Sequence, residues 1–100
     1  MALPTSGNVQ VTQQIIYAPP SGVIGTILNM TFNNSLFVSW TLSVWEKLAN
    51  SNSPKLLYSK TFDAGDTWID PHTYTLPFGA SIQAAASSNS VVFVINGIEN

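Results

Sequence analysis

The sequence predicts an all-β chain: an antiparallel β-sandwich, or a jelly-roll-like variant, of seven to eight short strands. Three observations lead there. Apolar and polar residues alternate with a period of two, the apolar positions are rich in β-branched and aromatic residues, and Gly, Pro, Asn and Ser clusters interrupt the pattern every ~8–12 residues. No segment keeps a helical period. Ala84-Ala85-Ala86 favours helix locally, but it lies between turn signals and is too short to nucleate one.

The first strand is expected over Asn8 to Tyr17, with Val9, Val11, Ile15 and Tyr17 on one face and Gln10, Thr12 and Gln14 on the other. Pro19-Pro20-Ser21-Gly22 ends it, because proline removes ladder donors. A second strand from Val23 to Asn33 places Ile24, Leu28, Met30 and Phe32 at one parity, and Asn33-Asn34-Ser35 reads as a tight connection. Leu36 to Lys47 has the cleanest alternation, with Leu36, Val38, Trp40, Leu42 and Val44 facing the expected core and Phe37, Ser39, Thr41, Ser43 and Trp45 facing away.

After the loop Asn50–Pro54, Lys55 to Phe62 reads as a fourth strand, and Asp63-Ala64-Gly65-Asp66 as a turn with glycine at positive φ. Thr67 to Ile69 continues extended until Asp70-Pro71 breaks it. Thr73 to Leu76 and Ala80 to Ala86 follow, separated by the turn Pro77-Phe78-Gly79, and Ser87-Ser88-Asn89-Ser90 is expected to close a hairpin. Val91 to Asn96 is apolar at both parities, which predicts a central or doubly covered strand. Residues 1–7 are expected to form an N-terminal arm that orders on a partner, and residues 8–100 a single domain.

Composition narrows the function classes. Only 8% of the 100 residues are charged, against a usual ~25%, while Ser, Thr, Asn and Gln supply 34. Three lysines (Lys47, Lys55, Lys60) with no arginine, at net charge −2, cannot make the basic stripe that nucleic acid requires. No apolar run reaches the ~18–20 residues of a membrane helix, and Met1 to Gly7 lacks the basic and apolar regions of a signal peptide. No cysteine is present, so thiolate metal sites and disulfides are excluded.

Sites of chemistry are sparse. His72 is the one imidazole, no Gly-x-Ser-x-Gly elbow accompanies it, and twelve serines make any imagined triad uninformative. Asp63, Asp66, Asp70 and His72 form the one charge cluster. Its spacing does not match a calcium loop, and aspartates that open and cap turns account for it. The expectation is no catalytic, cofactor-binding or metal-binding residues. Asn29-Met30-Thr31 and Asn33-Asn34-Ser35 read as chance glycosylation sequons in a chain rich in Asn and Thr. Trp40 is assigned to the core. Trp45, Trp68 and Phe37 are the candidate interface residues, since aromatic side chains anchor protein contacts and can also stack on sugar rings.

Three stretches carry a resemblance: Thr61-Phe62-Asp63-Ala64-Gly65-Asp66-Thr67, then Tyr74 to Ala84 (YTLPFGASIQA), then Val92-Phe93-Val94-Ile95-Asn96-Gly97-Ile98-Glu99. Over about residues 23–99 the chain resembles the small β-sandwich accessory proteins of tailed-bacteriophage virions. Ala80-Ser81 stands where that family more often has an acidic residue. The resemblance implies a non-enzymatic capsid decoration or cement protein in the virion, made in the host cytoplasm, self-associating (a trimer favoured) and contacting the major capsid protein or another virion protein. The alternative it leaves open is a tail-associated or receptor-binding module that holds a host-surface glycan on Trp45, Trp68 and neighbouring Asn residues. Its motifs are mostly turn chemistry, so no site residues transfer from it.

Overall fold

The computed structural model describes residues 3–34, 36–88 and 90–100. Its strands are β1 (Thr5–Asn8), β2 (Gln14–Tyr17), β3 (Gly25–Asn34), β4 (Trp40–Lys47), β5 (Lys55–Phe62), β6 (Thr67–Asp70), β7 (Tyr74–Leu76), β8 (Ser81–Ala86) and β9 (Val91–Glu99). They form two antiparallel sheets, the sandwich that the alternation predicts. One sheet runs β1-β9-β3 with β6 and β7 both along the far side of β3, and the other runs β2-β8-β4-β5. Between them lies one core that includes Tyr17, Ile27, Met30, Phe32, Trp40, Leu42, Val44, Ile82, Phe93 and Ile95.

β5 occupies Lys55–Phe62 as expected, β9 is central between β1 and β3, and Gly65 and Gly79 take φ of 82° and 97° in their turns. Several expectations are corrected. The expected first strand is two: β1 pairs with β9, the chain then crosses between the sheets, and β2 pairs with β8, so Val11 and Ile15 are exposed. Residues 5–7 of the expected arm belong to β1, while Met1 and Ala2 lie outside the described residues. Leu36 and Val38, assigned to the core, sit in an exposed loop, and β4 begins only at Trp40. The segment between β8 and β9 is no hairpin, because the two strands lie in different sheets; its Asn89, like Ser35 of the preceding connection, lies outside the described residues.

A parity shift in β3 explains why Leu28 is exposed. The register with β9 slips between Ile27 and Asn29, leaving Leu28 as an extra residue, so Gly25 and Ile27 face the core before the bulge and Met30 and Phe32 after it. On one flank of the bulge lies Gly97, paired with Ile27. On the other lies the break Pro71-His72-Thr73, which divides one edge strand into β6 and β7. Proline is tolerated there because an edge position needs no ladder donor.

A Cβ at Gly97 would collide with the Thr26 carbonyl oxygen and press on the Leu3 side chain. Backbone cannot yield as a flexible side chain can. Gly97→Ala is therefore expected to cost roughly 2–4 kcal/mol of stability, read as a lowered urea midpoint; an unchanged midpoint would contradict the close approach of β3 and β9.

Candidate functional site

The described surface divides into an open edge, two broad faces and two ends. At the open edge, β5 of one sheet faces β6 and β7 of the other. Phe62, Trp68 and Tyr58 pack there, with Phe62 4.5 Å from Trp40 and 5.9 Å from Trp68, and Tyr58 edge-on to Trp68 at 6.1 Å. Lys60 lies at an inward-facing position of this edge strand, its ammonium 3.9 Å from the Trp68 ring. An inward charge on an edge strand also discourages further strand pairing. The indole N–H groups of Trp40 and Trp68 are buried without a normal hydrogen bond, a local cost of the aromatic closure.

Asp70 lies beside this aromatic group. Its side chain has no exposed surface. Oδ2 accepts hydrogen bonds from the Tyr58 hydroxyl (2.8 Å) and the Tyr74 hydroxyl (2.8 Å). Oδ1 accepts from the His72 backbone N–H (3.0 Å) and lies 2.7 Å from His72 Nδ1. The bond to the backbone two residues on is the Asx turn that an Asp-Pro break favours. The bond to Tyr58 crosses between sheets, so one carboxylate ties β5, β6 and β7 together. Burial pushes the Asp70 carboxyl up, but the hydrogen bonds outweigh it and hold it below its ordinary value. An ionised carboxylate only accepts, so Nδ1 of His72 carries the hydrogen and Nε2 is left on a ring that is 74% exposed. Burial first, and then the Asp70 contact, raises the Tyr58 and Tyr74 phenols well above the usual tyrosine range.

This cluster contains the base–orienter pair of a hydrolytic triad, yet both hydroxyls it brings in are phenols bound to the carboxylate rather than to the imidazole. Its geometry is that of a clamp. Asp63 and Asp66 stand apart from it, in the β5–β6 turn, where the Asp63 N–H donates to Asp66 Oδ2 (3.3 Å). No group of three or more metal-ligating side chains occurs among the described residues.

The broad faces differ in chemistry. On the outside of the four-stranded sheet, hydroxyls pair with each other across strands: Thr41 with Thr61 at 3.0 Å and Ser43 with Ser59 at 2.9 Å. None of the outward-facing strand residues of the five-stranded sheet is ionisable. Its rows are Ser6–Val94–Thr31–Ile69 and Asn8–Val92–Asn33–Thr67, followed by Asn96–Asn29 and Ile98–Thr26–Thr75. Leu28, Ile69, Val92, Val94 and Ile98 are exposed on this side. Asp70 belongs to the same sheet but faces inward, and Glu99 accepts a hydrogen bond from Tyr17 at one end (2.6 Å).

The three candidate interface residues do not converge. Phe37 stands at one end, 90% exposed, and Trp45 is half-buried on the outside of the four-stranded sheet, across from Leu56 and Gln83. Trp68 points inward and is part-buried, its ring packed by Phe62, Tyr58 and Lys60. Parity would have revealed Asp70 in the sequence: it shares the parity of Trp68, so an inward-facing Trp68 implies an inward-facing carboxylate. No known protein family, curated protein or solved structure matches the chain.

Asp70→Asn is expected to cost about 2–4 kcal/mol in urea unfolding, since it removes a charge that four donors satisfy. The folded pKa lies below the unfolded one. The wild-type advantage over Asp70→Asn is therefore complete above the ordinary carboxylate range and declines as pH falls through the folded value. Equal stability of the two proteins at neutral pH would contradict the clamp.

Proposed function

We propose that the chain is a non-enzymatic virion structural protein, a decoration or cement protein of a tailed-bacteriophage head that acts through protein–protein contact. The outside of the five-stranded sheet carries this reading. Moving an ion out of water costs several kcal/mol unless it is well paired, whereas Ser, Thr and Asn exchange water for partner hydrogen bonds at less cost. A face without any ion, with Val92, Val94, Ile98 and Ile69 exposed among amides and hydroxyls, is suited to lasting burial. The molecule measures 41 × 25 × 19 Å, so its broad faces match the scale of the about 800 Å² per partner of a standard interface. The resemblance in the turn motifs supplies the virion context, and a closed cyclic oligomer, the trimer first, is the proposed assembled form. Binding the assembled shell and not its separated subunits would stabilise the head by mass action.

The test uses heads of the encoding phage stripped of accessory proteins. Wild type is expected to sediment with them to saturation and to raise the temperature at which they rupture. Val94→Lys places a charge mid-face without touching the core, and is expected to fold normally while binding at least tenfold more weakly. Wild type remaining in the supernatant, or Val94→Lys binding equally well, would overturn the proposal.

A further inference from the structure

The β3–β4 connection carries three consecutive exposed apolar residues, Leu36 (53% exposed), Phe37 (90%) and Val38 (50%). Isolated apolar side chains on a surface are ordinary, but three in a row on a loop are not. The loop is also braced. Buried Asn34 accepts from the Leu36 backbone N–H through Oδ1 (3.2 Å) and donates to the Val38 carbonyl through Nδ2 (3.2 Å), so one amide spans its base. Ser90, from the β8–β9 connection, donates to the same Oδ1. A braced apolar tip has part of its ordering cost met before it binds, the condition under which an anchor residue contributes most.

The surroundings specify the partner. Strand register puts the β5–β6 turn at this end, because β6 starts beside Asn33 and β5 finishes beside Trp40. That turn brings Asp63 and Asp66, and none of the connections at this end holds a lysine. An apolar tip with acidic neighbours is unsuited to an anionic lipid surface, which attracts basic segments. A second copy is no better suited: its net charge is −2, and of its three lysines Lys60 lies over the Trp68 ring and Lys47 donates to the Gly79 carbonyl.

We infer that the Leu36-Phe37-Val38 tip is a docking anchor that inserts Phe37 into an apolar socket with a basic rim on a different protein. This inference rests on the proposed function, within which the socket belongs to the head. It assigns to the broad neutral face the contacts between copies, whose loss in Val94→Lys weakens head binding by removing multivalency, and to this end the grip on the shell.

The stripped heads serve again as the probe. Phe37→Ala is expected to keep the wild-type fold and oligomeric mass while losing at least tenfold in affinity for heads, and Phe37→Trp to restore most of it. Asp63→Lys is expected to weaken binding more at low than at high salt. Phe37→Ala binding as wild type does would overturn the anchor and leave the proposed function standing. Wild type failing to bind heads would overturn both. Phe37-dependent binding to vesicles of phosphatidylcholine and phosphatidylglycerol would overturn the protein socket in favour of a lipid surface.

Discussion

The hydrogen bonds converging on the Asp70 carboxylate are the constraint on which the open side of this sandwich depends. Two sheets packed by apolar side chains have no intrinsic means of fixing their separation at an edge. Here the Tyr58 hydroxyl of one sheet and the Tyr74 hydroxyl of the other meet on a single oxygen. A buried charge is costly, and its cost is offset only when its lone pairs are filled. The Asx turn through His72 completes that set and breaks the edge strand in the same residues. Tyr17 reaching Glu99 makes a second bond between the sheets, and Gly25 is glycine because the Tyr17 ring lies where its Cβ would be.

This use of charge is general in the molecule. Glu46, Lys47, Lys55 and Glu99 lie near strand ends, Asp63 and Asp66 in a turn, and Lys60 and Asp70 at the open edge. The broad outer face of the five-stranded sheet receives none. A composition with only 8% charged residues thus becomes a spatial pattern in which the ions define the perimeter and the face stays neutral. Neutrality there is what makes the face suitable for burial, and the apolar tip at one end is a separate, local device with its own bracing.

Alternation made the fold class, the central β9, the whole of β5 and the glycine turns legible, because each depends on local periodicity or on one residue's φ. What stayed hidden depends on events that do not repeat. One inserted residue, Leu28, inverts the parity of half of β3. The passage of the chain between sheets after Asn8 leaves Val11 and Ile15 apolar but exposed, and alternation by itself does not mark where a strand changes sheets. Leu36 to Val38 continue the period of β4 in sequence, yet the amide of Asn34 holds them in a loop. The Asp70 clamp was half legible: its turn role follows from Asp-Pro, but its phenol partners lie on strands that only the tertiary register brings together.

On the proposed function, the neutral face of the five-stranded sheet is covered by other subunits in the working state. Small-angle X-ray scattering of the purified protein across a concentration series addresses it most directly. The expected mass is a small multiple of 10.8 kDa, with a radius of gyration well above the 13.0 Å of the single chain. A 10.8 kDa particle of about 13.0 Å at every concentration would contradict it.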